Sequence, residues 1–148
     1  MRTTEQNLTA AHTEVKAEIA RTDTKTGLLL AFVGAVLAGT WTVARDLPLN
    51  TAALTIGGTG ILALVAAAGL LLRSVRPNLS GGRGFPLWAT LTAEQIAAAL
   101  SEDIGADIAG LSRIAVAKFT GLKRAVDLTC VGGALLIVAA VLAVGGAA

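Results

Sequence analysis

The sequence predicts an all-α integral membrane protein: three transmembrane helices, with one amphipathic helix ahead of the first span and another before the third. Three apolar runs carry this reading. Gly27 to Ala44, Ala52 to Leu72 and Leu128 to Gly146 contain no charged side chain. At 1.5 Å per helical residue, each run matches a hydrocarbon core roughly 30 Å thick. One Arg, Lys or Asp at a bilayer centre costs about 2.5–3.5 kcal/mol on insertion scales, so three long uncharged runs are not an accident of composition. The composition agrees: 148 residues, 54% apolar and 15% charged, are too apolar for a disordered chain and are expected to form one small membrane domain over residues 1–148.

The elements follow in order. Over residues 1–26, Leu8, Val15, Ile19 and Thr22 recur at helical spacing, the stripe of an amphipathic helix. Thr3 with Gln6 fits a capping box at its start. A cleavable signal peptide would place its apolar stretch earlier than this polar segment allows, so the first span, 27–44, is expected to be a retained anchor. Pro48 closes the next loop and biases Leu47 away from helix, which gives a tight helical hairpin into the second span, 52–72. Gly57, Gly58, Gly60 and Gly69 in that span, Gly34 and Gly39 in the first, and Gly132 and Gly133 in the third allow close backbone approach. The spans are expected to pack on one another and on further copies, as a homo-oligomer.

Residues 73–127 form a loop and a helix. Pro77, the run Ser80 to Gly84, and Pro86 break any regular period before Trp88. Thr92 with Gln95 then suggests a second capping box, and Ile96, Leu100, Ile104, Ile108, Leu111, Ala115, Phe119, Leu122 and Val126 extend an apolar stripe to the third span, 128–146. Glu94, Glu102, Asp103 and Asp107 lie early in this helix, whereas Arg113, Lys118, Lys123 and Arg124 lie late. That order suits the helix dipole and places cations beside anionic headgroups, at about 1 kcal/mol each.

Lys and Arg favour the cytoplasmic side of short loops. Arg2, Lys16, Arg21 and Lys25 precede the first span, and Arg73, Arg76, Arg83, Arg113, Lys118, Lys123 and Arg124 lie between the second and third. The first loop holds only Arg45. The N-terminus and residues 73–127 are therefore expected in the cytoplasm, and the protein in the cell membrane, against lipid.

Little in the chain suggests catalysis. Cys130 is the lone cysteine and reads as a small apolar filler, and His12 has no second metal ligand near it and reads as a surface residue. No nucleophile has a base at useful spacing, so no catalytic residue, metal, cofactor or nucleic-acid partner is expected. Ser80 to Gly84 lacks the Gly-Lys-Ser/Thr ending of a phosphate loop and reads as a linker. The membrane-proximal segment Arg21, Thr22, Asp23, Thr24, Lys25 says more. Lys25 can snorkel to headgroups, but Asp23 gains nothing from anionic lipid and requires a cation or a capping role. Lys118 can supply the cation if the helices before the first and third spans lie side by side.

Arg-x-Asp-x-Lys-x-x-x-Leu-Leu, with Arg21, Asp23, Lys25, Leu29 and Leu30, leads into the first span, and Ile-x-x-x-Lys-Phe, with Ile114, Lys118 and Phe119, precedes the last, followed by Leu122 and Ala125. This pattern resembles the Pycsar effector transmembrane proteins of bacterial antiphage defence, over nearly the whole chain. The resemblance implies a partner cyclase that makes a cyclic pyrimidine nucleotide, cyclic UMP or cyclic CMP, on infection, with loss of membrane integrity and growth arrest. Arg21, Asp23, Lys25 and Lys118 are then the candidates for ligand binding or coupling, with Arg83, Lys123 and Arg124 as further basic candidates. Two other readings stay open: a small scaffold or plasmid-transfer membrane protein, and a holin-like or toxin-like disruptor that needs no nucleotide.

Overall fold

The computed structural model describes residues 3–46, 50–76, 89–95 and 104–145. Among them there is no strand. Three long helices account for nearly all of it: α1, Thr4–Ala44; α2, Thr51–Val75; and α3, Ile104–Gly145. Each is long and apolar enough to cross a membrane, which makes the chain a multi-pass membrane protein. At 41 and 42 residues, α1 and α3 are about twice the length that a bilayer core requires. Each therefore continues beyond the length of one span without a break in the helix.

Contacts divide the chain into two compact units. One, Met1–Ile19 with Arg76–Val116, holds both capping boxes. The Thr3 N–H donates to Gln6 Oε1 at 3.0 Å, and the Gln6 N–H to Thr3 Oγ1 at 3.4 Å. Thr92 and Gln95 repeat the exchange at 2.9 and 3.4 Å. Each box satisfies N–H groups that the first helical turn leaves without partners.

The other unit, Ala20–Val75 with Ala117–Ala148, contains the spans. Its inward residues alternate by four and three along every helix: Thr22, Thr26, Leu29, Val33, Val36 and Thr40 on α1; Ala53, Gly57, Gly60, Leu64, Ala67, Leu71 and Ser74 on α2; Lys118, Leu122, Ala125, Thr129, Gly132, Leu136, Ala139 and Ala143 on α3. A repeat of 3.5 residues is the seam of helices wound left-handed about one another. Ala67, Leu71 and Ala125 form its buried cluster, covered by Leu29, Leu30, Leu70, Leu122 and Leu128.

Small residues set how close the helices come. A Cβ on Gly60 would meet the Gly132 carbonyl oxygen at 3.0 Å, and one on Gly132 would meet the Gly60 oxygen at 2.9 Å, so α2 and α3 touch backbone to backbone. Large apolar side chains such as Leu28, Phe32, Leu62, Ile137 and Val141 point outward. In water that surface would drive aggregation; in lipid it is the solvated face, and contact among small residues supplies the cohesion. Asn50 ties the far end together. It caps α2, accepting the Ala53 N–H on Oδ1 at 2.8 Å, while its Nδ2 donates to the Leu142 carbonyl at 3.0 Å, one of the last four of α3.

Some sequence expectations shift. The stripe expected through Phe119 and Val126 runs instead through Lys118 and Ala125, because the seam steps by alternating three and four residues; Phe119 and Val126 are exposed. Cys130 is exposed on α3 rather than filling a core site, since the neighbouring Thr129 occupies the seam. His12 is partly buried on α1. Pro48, the run Ser80 to Gly84 and Ile96 to Asp103 fall outside the described residues, as does Gly146 at the end of the third span.

Candidate functional site

Two adjoining positions on α1 have opposite fates. Thr22 is buried on the seam, while Asp23, one residue on, flanks it and stays partly exposed. On α3 the seam passes through Lys118, one turn before Leu122. The Lys118 ammonium therefore meets the Asp23 carboxylate and donates to Oδ1 at 2.5 Å and Oδ2 at 2.8 Å. The side chains are 23% and 44% exposed. With that much water nearby, such a pair contributes only about 0.2–1 kcal/mol.

The pair sits within a polar belt. Thr26, fully buried, donates its hydroxyl to the Thr22 carbonyl at 2.8 Å. Ser74 occupies the α2 seam position one turn beyond Leu71, and its Oγ is buried without a hydrogen-bond partner among the described residues. Such an orphan costs about 1–3 kcal/mol. Below the belt lies the leucine and alanine cluster. The end of the spans nearest Asp23 thus combines a weak ion pair, back-bonded threonines and one unsatisfied hydroxyl, over a core held by small residues.

Asp23 and Lys118 are the candidates that the structure brings into contact. Arg21 and Lys25 are exposed one turn apart on α1, and Lys123 and Arg124 are exposed on α3, off the seam. Arg83 lies outside the described residues. Among the described residues, no cluster of three or more His, Cys, Asp and Glu side chains could hold a metal ion. Ser74 was missed by sequence reasoning, although counting the four-and-three repeat through Leu64, Ala67 and Leu71 leads to it.

No curated protein and no solved structure matches the chain. The Pycsar effector protein domain matches residues 7–145, taking in all three spans and both partners of the ion pair. Its members are membrane effectors, not a known enzyme family, in keeping with the three spanning helices. The chain therefore belongs to the Pycsar effector protein domain family, and is a multi-pass membrane effector of antiphage defence.

Proposed function

We propose that the effector is gated by an anionic ligand at the Asp23–Lys118 pair and impairs membrane integrity once that pair opens. The single observation that carries this reading is the pair itself, which joins α1 to α3 where the spans begin. The family implies a partner cyclase producing a cyclic pyrimidine signal, and cyclic UMP or cyclic CMP offers one phosphodiester charge. That phosphate replaces the Asp23 carboxylate on Lys118, in cytoplasm, where the N-terminus and residues 73–127 reside.

Magnitudes limit what the exchange achieves alone. Moving a population from 1:99 to 99:1 requires about 5.5 kcal/mol of preference for the favoured state. Loss of the ion pair supplies about 1 kcal/mol or less. The nucleotide must therefore gain several further contacts in the open state. Arg21 and Lys25, exposed one turn apart on α1 and flanking Asp23 in sequence, are the candidates for those contacts.

The test is dye entry into cells expressing the chain together with an inducible cyclase for cyclic UMP or cyclic CMP. Leakage with one nucleotide and not the other is the expected result. Asp23→Asn should leak at a lower nucleotide dose, because the competing carboxylate charge is gone, while Lys118→Gln should lose the nucleotide response with insertion intact. Leakage irrespective of nucleotide would identify a ligand-independent disruptor. Intact membranes under every condition, with the protein inserted, would identify a scaffold.

A further inference from the structure

Three exposed charges stand on α3 as it enters the bundle: Lys123, Arg124 and Asp127. Among the described residues none of them makes an ion pair or a side-chain hydrogen bond. Contacts fix their level. Lys118 meets Asp23, and Ala125, seven residues on, belongs to the cluster covered by Leu30, seven residues beyond Asp23. Helices α1 and α3 thus advance in step, and Asp127 lies level with Phe32. Helix α2 runs the other way, with Gly60 against Gly132 and Asn50 against Leu142, so Asp127 also lies level with Val65.

Phe32 is five residues inside the uncharged run that begins at Gly27, and Val65 is seven residues inside the one that ends at Leu72. At 1.5 Å per residue, the Asp127 backbone is about 7–10 Å beyond the level at which the other two spans stop carrying charge. Lys123 and Arg124 are nearer that level, and their long stems can carry the charge back to the headgroups. The Asp127 side chain is too short to follow. A carboxylate at that depth, on the outside of the bundle, calls for a cation beside it. Its own helix is a poor source, because a base that precedes an acid by one turn is the less favourable order for pairing along a helix.

The same face carries a repeat. Lys123, Asp127, Cys130, Ala134, Ile137 and Val141 alternate by four and three and are all exposed. They form a second 3.5-residue seam, on the side of α3 away from Ala125, Gly132 and Ala139. Copies inserted in the same orientation present this seam in parallel. Across a two-fold axis along the membrane normal, Lys123 of each copy faces the level of Asp127 on the other, so the stripe is complementary to itself in charge, twice per pair. Cys130 and Ala134, one and two turns on, are small enough for the backbones to approach. We propose that α3 docks on α3 of a second copy along this seam, with Asp127 of each copy taking Lys123 of the other as its counter-ion. The interface requires that the chain be in a membrane and is independent of the nucleotide reading.

The experiment uses the native thiol. The full chain in liposomes is oxidised with iodine, which enters the bilayer, and disulfide-linked dimer is read on a non-reducing gel. Cys130 lies on the seam and should crosslink. Val65→Cys with Cys130→Ala places the thiol at an exposed position level with Asp127 but on α2, and should not. Asp127→Lys and Lys123→Asp, each alone, put like charges on both copies and should weaken the dimer about tenfold or more, 1.4 kcal/mol, read from crosslinking over a dilution series in lipid. Mixed in one membrane with tags of different size, these two variants should restore crosslinking as the heterodimer, which a pair within one helix cannot do. Asp127→Ala should also weaken the dimer, and it decides the matter if either charge-altered variant fails to insert. Absence of a Cys130 crosslink in the inserted wild type, equal crosslinking from Val65→Cys, undiminished crosslinking in Asp127→Ala, or a mixture no better than its components would overturn the interface.

Discussion

A single Cβ on Gly132 would stand 2.9 Å from both the Gly60 carbonyl oxygen and Leu64 Cγ. Neither neighbour yields easily: one is helical backbone and the other a fully buried side chain. Gly132→Ala should therefore destabilise the bundle by about 1–3 kcal/mol, the ordinary range for overpacking. Gly58→Ala meets open space and should cost nothing, gaining a little helix propensity instead. Thermal unfolding of the two variants in detergent, followed by circular dichroism, separates them, and equal behaviour would mean that the backbone contact does not hold α2 to α3. Ser74 presents the reverse case. Its buried hydroxyl has no partner to lose among the described residues, so Ser74→Ala should raise stability in the same assay, by about 1 kcal/mol. A fall would show that the hydroxyl is satisfied in the membrane, by water for instance.

Helix ends make a sharper test of element-level packing than helix middles, because one residue can serve two helices. Asn50 accepts the Ala53 N–H at the start of α2 and donates to the Leu142 carbonyl near the end of α3. Asn50→Ala removes both bonds and should cost about 1–2 kcal/mol, the upper range for an N-cap. Asn50→Asp keeps the acceptor but cannot donate, so the difference between the two variants in detergent unfolding measures the tie to α3; identical losses would show that the tie contributes nothing. The helices themselves were legible in the sequence because charge is expensive in hydrocarbon, and each uncharged run lies within one helix as far as the described residues reach. The face of each helix was less legible. Reading α3 by repeated steps of four reached Phe119 and Val126, because these are the bulkier apolar residues, whereas the seam uses Lys118 and Ala125. In lipid, bulk does not mark the inside. The Asp23–Lys118 contact could be anticipated for an electrostatic reason, an acid near anionic headgroups that needed a cation. Contact between Gly60 and Gly132 could not be picked out from a chain containing 17 glycines.

At the scale of the molecule, the gating proposed above requires α1 and α3 to separate near Asp23 and Lys118, and that separation can be blocked covalently. Asp23→Cys and Lys118→Cys, made together with Cys130→Ala so that the native thiol does not compete, place two thiols where the ion pair stood. A short bifunctional thiol reagent then fixes one helix to the other at the span of a side-chain contact. If the pair is a latch, the crosslinked protein should give only background dye entry in vesicles. Since the substitutions also remove the Lys118 charge and with it the nucleotide response, the readout is leakage without ligand, and the same variant without the reagent must be tested first. Having lost the ion pair, it should leak more than wild type before any ligand is added, although by a small factor, because a partly exposed pair holds back only about 1 kcal/mol or less. Leakage that rises on losing the pair and falls on crosslinking would show that helix separation is the event that opens the membrane. Leakage that persists after quantitative crosslinking would place the opening elsewhere in the assembly and leave Asp23 and Lys118 as a structural contact alone.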